Sequence, residues 1–286
     1  MVGKHFFIHK LISMSEFQMQ EPVLGTLEYL YWKNLHPRDK FVSFEEGPHI
    51  YTIHGKRGES TSVTTWVHQH FPHFDSEGIV NRILKSPKWS SDPEYKYYKM
   101  TKETILASWK KNTDNSTSSG TKLHNDIEKF YNGMEIENDS IEYQFFLKFK
   151  EDYKHLIPFR TEWMVYHEEL KLVGSIDMIF ENEDGELEIY DWKRSKEIVY
   201  DSNYNKFAIT PSISHLPDTN FWHYSLQLNT YRKIIESKYD KKVTGLYLVR
   251  FHPDNPYKTY DRIKVPLLDK EMDTLFEERK KELEKT

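Results

Sequence analysis

Residues 171–193 read KLVGSIDMIFENEDGELEIYDWK, and this stretch decides the expected fold. Apolar residues dominate Lys171–Phe180 and Leu187–Lys193, which is typical of two β-strands. The EDG turn at 183–185 between them predicts a hairpin, and Thr161–His167 predicts a strand before it. We therefore expect a three-stranded antiparallel meander.

Two carboxylates and one ammonium interrupt the apolar pattern of these strands. If the turn is a three- or five-residue loop with a left-handed glycine, Asp177 lies directly opposite Asp191 on one face. Lys193 shares that face, because side chains two residues apart in a strand point the same way. A two- or four-residue loop would shift the register by one residue and separate them. A buried Asp–Lys ion pair remains the alternative to a functional site.

The chemistry of these side chains suits a divalent cation. Two aspartates on neighbouring strands form a minimal cradle for Mg²⁺ or Mn²⁺, which prefer oxygen ligands. Such a cation supplies much of what phosphodiester hydrolysis needs, and a nearby lysine can orient the attacking water and neutralise developing charge. The pattern therefore indicates metal-assisted hydrolysis.

Helical patterns surround the meander. Over residues 121–134 one apolar stripe runs from Leu123, and His124 and Glu128 lie together along its border, where a side chain can face a cleft or an ordinary helix edge. Helices are also expected over Ser60–Phe71, Ser76–Leu84, Pro93–Lys110, Ile141–His155, Phe221–Lys238 and Asp269–Lys285, strands over 39–55 (as a hairpin), Val243–Phe251 and Tyr260–Val265, and a polar loop over Asn112–Gly120.

Composition narrows the function classes. The 286 residues include no cysteine, which excludes disulfides, thiolate zinc sites and cysteine-bound iron–sulfur clusters. The formal charge is −5, yet residues 80–122 carry nine basic and four acidic side chains, interleaved with aromatic residues. A basic, aromatic helix face suits nucleic-acid binding, although an ordinary solvated face has the same composition.

Two further features need an interpretation. His68, His70, His73 and Asp75 are close in sequence, but i, i+2 histidines do not share a helix face, so we do not favour a zinc site there. The opening stretch 1–14 could serve in targeting, although a flexible tail fits it better, and no apolar run is long enough to span a membrane. We expect an intracellular, non-secreted protein without a membrane partner, its compartment left open.

Five short motifs follow one another in a set order. They are Gly120-Thr121-Lys122-Leu123-His124, Glu162, Gly174-Ser175-Ile176-Asp177, Asp191-Trp192-Lys193 and Gln227-x-x-x-Tyr231. In this order they resemble the motifs of RecB-like nucleases of the PD-(D/E)XK superfamily. The resemblance covers residues 118–250. Since the chain lacks cysteine, it is most similar to members without an iron–sulfur cluster, such as the exonucleases of mitochondrial genome maintenance, phages and large DNA viruses.

The resemblance implies a metal centre. His124, Asp177, Asp191 and the Trp192 carbonyl would hold Mg²⁺ or Mn²⁺, and Lys193 would be the catalytic lysine.

Other residues would assist this centre. The resemblance implies that Glu162 supports the catalytic set, and that Gln227 and Tyr231 brace the site or contact nucleic acid. We also expect Lys196 to meet a phosphate. Glu128 is a candidate second-metal or supporting residue on the ground of helical geometry.

The implied fold is α/β, with a restriction-endonuclease-like core in which helices flank a mixed central sheet, and with a helical N-terminal elaboration. We expect an extension over 1–38 and a single nuclease domain over 39–286. That domain would comprise a hairpin and helical arch or wall (39–117), the catalytic core (118–266) and a C-terminal helix (267–286).

The implied activity is a metal-dependent DNA exonuclease of replication, repair or recombination. It would act on DNA ends or single strands and leave 5′-phosphates. From the basic, aromatic segment at 80–122 we also expect Lys96, Lys99 and Lys102 to contact the nucleic acid. The alternatives are a structure-specific or RNA endonuclease with the same metal centre, and an inactive module that binds DNA ends.

Overall fold

The computed structural model describes residues 21–202 and 205–285, so the predicted tail or targeting segment at 1–14 lies outside the described residues. The helices are α1 (Tyr29–Lys33), α2 (Val63–Gln69), α3 (Ser76–Lys85), α4 (Pro87–Ser91), α5 (Lys102–Tyr131), α6 (Ile141–Asp152), α7 (Asn220–Lys238) and α8 (Asp269–Leu283). The strands are β1 (Val42–Glu45), β2 (Ile50–Ile53), β3 (Lys56–Arg57), β4 (Thr61–Ser62), β5 (Ile157–His167), β6 (Leu172–Glu181), β7 (Leu187–Lys193), β8 (Val243–Arg250) and β9 (Asp261–Lys264). Within the described ranges, no helix is long and apolar enough to cross a membrane.

The main sheet is mixed, as predicted. β5, β6 and β7 form the expected antiparallel meander, β8 lies parallel to β7, and β9 pairs antiparallel with β8. The short β4 runs parallel to the start of β6. The predicted hairpin near the start of the chain is β1–β2, which gains a third strand, β3.

Helices cover both faces of this sheet. Under α2, α7 and α8 lies an apolar cluster that includes Trp163, Ile189 and Leu248. Under α5 and α6 lies a second cluster, which includes Tyr190 and Trp192. Side chains of β7 alternate between the two clusters, as a strand buried on both faces requires.

The β6–β7 loop has one of the two lengths that place Asp177 opposite Asp191. Glu181 pairs with Leu187 and Met178 with Tyr190, which leaves a five-residue loop at 182–186. Gly185 in this loop has a φ of +77°, a conformation that glycine adopts without a steric cost. The same register, continued by one position, sets Asp177 opposite Asp191.

The predicted polar loop at Asn112–Gly120 is wrong, because α5 continues through it without a break. No proline interrupts this stretch, and buried residues on either side, Ile105 and Leu123, anchor the helix to its neighbours. Poor helix formers cost about 0.5 kcal/mol each, which tertiary packing at both ends can offset.

Two other helix predictions need correction. The helix expected over Pro93–Lys110 begins only at Lys102, where the Thr101 side chain accepts a hydrogen bond from the Thr104 N–H and caps it. The preceding residues form turns that wrap Trp89, whose Nε1 donates to the Met100 carbonyl at 2.9 Å. α2 begins at Val63 rather than Ser60, because residues 61–62 pair with β6 instead.

The predicted N-terminal extension is partly anchored to the core. The Leu30 N–H of α1 donates to the Asn132 side chain at 2.9 Å. Asp39 forms a buried ion pair with Arg160 at 2.7 Å and accepts a hydrogen bond from Trp163 Nε1 at 2.9 Å. Because breaking such a pair would leave a buried charge uncompensated, this contact fixes β5 immediately beside the candidate site.

Candidate metal centre

The candidate centre lies where β6 and β7 separate. Their ladder ends at Met178 and Tyr190, whereas β7 goes on pairing with β8 as far as Lys193. At the next position the Trp192 N–H donates to Asp177 Oδ2 at 2.9 Å, so a carboxylate replaces the backbone partner. The separation opens a gap between two rigid strands, and the polar side chains line it.

The neighbouring strand is irregular at the same level. Thr161 pairs with Met178 and Trp163 with Ile176, which sets Glu162 opposite Asp177, and Glu162 has a φ of +43°. Non-glycine residues adopt this left-handed conformation at an energetic cost, and such strain concentrates at functional sites.

The pleat of β6 is also broken at Asp177. Ile176 packs in the cluster under α7, whereas Met178 packs under α5 and α6, although residues two apart in a regular strand face the same side.

α5 brings His124 to this gap. Its Nε2 lies 2.8 Å from the Trp192 carbonyl oxygen, and its Nδ1 lies 3.5 Å from Asp177 Oδ2. His124, Glu162 and Asp177 each offer a ligand atom, and these atoms all lie within 4.8 Å of one another. Three of the four predicted ligands, His124, Asp177 and the Trp192 carbonyl, therefore lie together, and Glu162 joins the group directly.

Asp191 occupies a different position in the centre. It forms an ion pair with Lys193, whose Nζ lies 2.6 Å from Asp191 Oδ2. Asp191 is 3% exposed, so this carboxylate is almost entirely removed from water. Asp191 is not part of the three-residue group within 4.8 Å, and Lys193 is its direct partner instead.

Burial changes the protonation of the acidic groups. Burial first, and the Asp177 and Glu128 carboxylates second, raise the pKa of Glu162 to about 8. Burial also raises the pKa of Asp191 to about 6, despite the nearby ammonium. Burial alone would lower the pKa of Lys193, but the Asp191 and Asp177 carboxylates more than reverse this and raise it. Lys193 is therefore an ammonium at neutral pH.

Glu128 lies beside the centre and not within the three-residue group. It lines a cavity of about 60 Å³ together with Glu162, and burial raises its pKa to about 7. This position fits the expected supporting role, through the Coulomb interaction between Glu128 and Glu162.

The donor set fits a divalent cation. Three carboxyl groups and an imidazole surround a gap that holds one ammonium, so loss of the Glu162 proton leaves an acidic excess that a cation would neutralise. Nitrogen and oxygen donors without sulfur suit Mg²⁺ or Mn²⁺, and imidazole favours Mn²⁺.

The α7 residues of the predicted site brace it from below. Tyr231 is 3% exposed and packs under β6, where a Cβ on Gly174 would lie 2.7 Å from the Tyr231 hydroxyl oxygen. Gly174 is therefore needed for this close approach. Gln227 Nε2 donates to the same hydroxyl at 3.5 Å. Of the two expected roles, bracing is the one that this buried position of Tyr231 allows.

In the described structure, none of the predicted nucleic-acid lysines forms an ion pair with a residue of the centre. Lys96 and Lys99 sit in the turns before α5, with their ammonium groups 5.2 and 5.0 Å from the ring centroids of the adjacent Tyr97 and Tyr98. Lys102 differs, because Glu77 of α3 engages it in an ion pair. Lys196 follows β7, is 80% exposed, and lies 3.9 Å from an Asp254 oxygen.

The histidines of the disfavoured zinc site contact other residues. His70 Nδ1 lies 2.9 Å from the Thr210 hydroxyl, and the His68 ring packs near His223. Among the described residues, these histidines belong to no group with metal-ligand spacing.

Two residues of the centre were not predicted from the sequence. Tyr224 of α7 places its ring under Lys193, with Nζ 4.3 Å from the ring centroid. Ser175 donates to Glu162 Oε2 at 2.8 Å. A signal existed for both, because Tyr224 is one turn before Gln227 on the same helix, and Ser175 lies inside the predicted GSID motif.

Comparison with known proteins does not assign this geometry to a family. No family model matches the chain, and no curated protein is significantly similar to it. The functional interpretation therefore depends on the site itself.

Proposed function

We propose that this protein is a divalent-metal-dependent nuclease of the RecB-like PD-(D/E)XK superfamily. Its activity is that of a DNA exonuclease, which hydrolyses phosphodiester bonds at DNA ends or in single strands and leaves 5′-phosphates. The centre formed by His124, Glu162, Asp177, Asp191 and Lys193 carries the reaction.

One observation carries the proposal. The five side chains come from four separate elements, α5, β5, β6 and β7, and they converge at the point where two strands separate. A structural Asp–Lys pair would need neither the strained Glu162 nor a histidine at the same place. Strain and buried charge cost stability, so their concentration at one gap favours a functional centre.

The residues of the centre have separate roles. His124, Glu162, Asp177 and the Trp192 carbonyl would hold the cation, with Asp191 reaching it from the other strand. A bound divalent cation supplies Lewis acidity toward a phosphate oxygen and an attacking water. Lys193 stays charged beside Asp191, so it acts as an electrostatic group that stabilises negative charge on the phosphate rather than as a general base.

The order of helices and strands also supports the proposal. α5 precedes the meander β5–β6–β7, α7 follows it, and β8 then lies parallel to β7. This order of elements, with the acidic residues on β6 and β7 and the lysine two positions after the second aspartate, is what we expect of a restriction-endonuclease-like core.

The region before the centre favours a nucleic-acid substrate, and the choice of DNA follows from the resemblance to the RecB-like exonucleases. Of the nine basic side chains in 80–122, three are ion-paired, namely Lys102, Lys110 and Lys122. The other six, which include Lys96 and Lys99, have no acidic partner within 4.0 Å in the described structure. Half-exposed aromatic rings lie among them, with Trp109 Nε1 donating to the Tyr97 hydroxyl at 3.0 Å. Free cations and rings together suit a single strand.

The decisive experiment is a cleavage assay. Single- and double-stranded DNA, circular or labelled at the 5′ or 3′ end, is incubated with the protein in Mg²⁺, Mn²⁺ or EDTA. We expect cation-dependent release of 5′-phosphorylated products from linear DNA and no cutting of circles. Asp177→Ala and Lys193→Ala should each lower the rate by at least about 10²–10³-fold.

Matched substitutions separate chemistry from folding. Asp184→Ala removes an exposed carboxylate from the β6–β7 turn, and Lys154→Ala removes an exposed ammonium, so both should cleave as the wild type does. Cleavage of circles would favour the endonuclease alternative. DNA binding without any cation-dependent cleavage would favour the inactive end-binding module.

A further inference from the structure

The ammonium of Lys193 has two partners, and they sit on different elements. One is Asp191, two residues back on β7, whose Oδ2 is 2.6 Å away. The other is the ring of Tyr224 on α7, whose centroid is 4.3 Å from Nζ. In the described structure no hydrogen-bond acceptor besides Asp191 contacts this ammonium. A cation over an aromatic face is attracted by the negative face of the ring.

The ion pair between Asp191 and Lys193 would compete with cation binding. Asp191 is also the carboxylate through which β7 would reach a divalent cation. A cation that shares this carboxylate weakens its hold on Lys193. The lysine side chain has four rotatable bonds and an ammonium without directional preference, so it would then be free to leave the gap.

Tyr224 does not have this conflict. Its ring is neutral and offers no ligand to a divalent cation, so its attraction for the ammonium survives when Asp191 is shared. α7 holds the ring in place, because Leu228 and Tyr231 of the same helix are buried against the sheet. The ring therefore limits where the ammonium can go.

We propose that Tyr224 is a positioning residue that keeps the Lys193 ammonium directed into the gap between β6 and β7 once Asp191 is engaged by a cation. This inference rests on the proposed nuclease function and extends it to a residue outside the recognised motifs. The ring carries the effect, because the Tyr224 hydroxyl makes no hydrogen bond in the described structure.

The test compares Tyr224→Leu with Tyr224→Phe. Leucine keeps apolar bulk but removes the aromatic face, so we expect kcat to fall about tenfold while KM changes less than twofold. Phenylalanine keeps the face and should restore kcat to within about twofold of the wild type. Trp222→Leu, which removes a ring from the same helix away from Lys193, should leave kcat unchanged.

A second readout does not depend on cleavage. Acylation of Lys193 by an amine-reactive ester, followed by mass spectrometry in Mg²⁺, reports whether its ammonium is held in place. We expect faster labelling of Lys193 in Tyr224→Leu than in the wild type, and no change in Tyr224→Phe.

The inference is wrong if kcat and the labelling rate of Lys193 are both unchanged in Tyr224→Leu. It is also wrong if kcat decreases as much in Tyr224→Phe as in Tyr224→Leu. Failure of the wild type to cleave any DNA would instead overturn the proposed function, and the labelling comparison would still decide the role of Tyr224.

Discussion

Burial favours the protonated form of two carboxyl groups at the centre, so protons and a cation would compete for them. The pKa of Glu162 is raised to about 8 and that of Asp191 to about 6, chiefly because both are buried. In the metal-free protein the folded state binds these protons more tightly than the unfolded chain does. The free energy of unfolding should therefore decrease as the pH rises from about 4.5, the usual pKa of Glu162, to about 8.

Cation binding should show the opposite dependence on pH. Because Mn²⁺ competes with the proton on Glu162, we expect its affinity to be about tenfold or more higher at pH 8 than at pH 6. Isothermal titration calorimetry of Mn²⁺ binding, in two buffers of different ionisation enthalpy, measures the number of protons released on binding. Glu162→Gln cannot release a proton at this position, so its count should fall by up to one, and an unchanged count would contradict the assignment.

At the level of single elements, α5 contains a stretch that is helical against its local preference. Residues 112–119 are all exposed and are poor helix formers, and Gly120 follows them. A Cβ at Gly120 would meet no atom within 4 Å. Gly120→Ala should therefore stabilise the protein by about 0.5–1 kcal/mol, chiefly by restricting the unfolded chain. The urea midpoint at constant m-value measures this change.

The same substitution at Gly174 should have the opposite sign. A Cβ there would lie 2.7 Å from the hydroxyl oxygen of the buried Tyr231. Gly174→Ala should therefore destabilise the protein by about 1–3 kcal/mol. Equal effects at the two glycines would show that their surroundings do not decide the outcome.

Elements with a strong periodic pattern could be predicted from the sequence, and those fixed by distant contacts could not. The meander followed from alternation and one turn, whereas the register that sets Asp177 opposite Asp191 was predicted only for a loop of three or five residues. The continuity of α5 did not, because it depends on burial of Ile105 and Leu123 at either side of a polar stretch. The left-handed conformation of Glu162 was not predicted, because glutamate has no preference for it.

For the molecule as a whole, charge is distributed unevenly. The net charge of −5 would repel a polyanion, yet residues 80–122 carry five more basic than acidic side chains. α3, α4 and the first half of α5 hold this region, and in the described structure no hydrogen bond or ion pair joins residues 76–111 to the main sheet. We therefore expect DNA, the proposed substrate, to approach the centre along the basic side chains of this region.

The salt dependence of binding tests which lysines contact the phosphates. Plotted against the logarithm of salt concentration, the logarithm of the DNA-binding constant has a negative slope, and each phosphate contact to a single strand adds about 0.7 to its magnitude. The double variant Lys96→Ala/Lys99→Ala should therefore lower that magnitude by about 1.4. Lys102→Ala should change the slope less, because Glu77 already neutralises this ammonium. Fluorescence anisotropy with a labelled oligonucleotide in EDTA measures the slope without cleavage. If the double variant kept the wild-type slope while Lys102→Ala lowered it, the phosphate path would run along α5 itself and not along the turns that precede it.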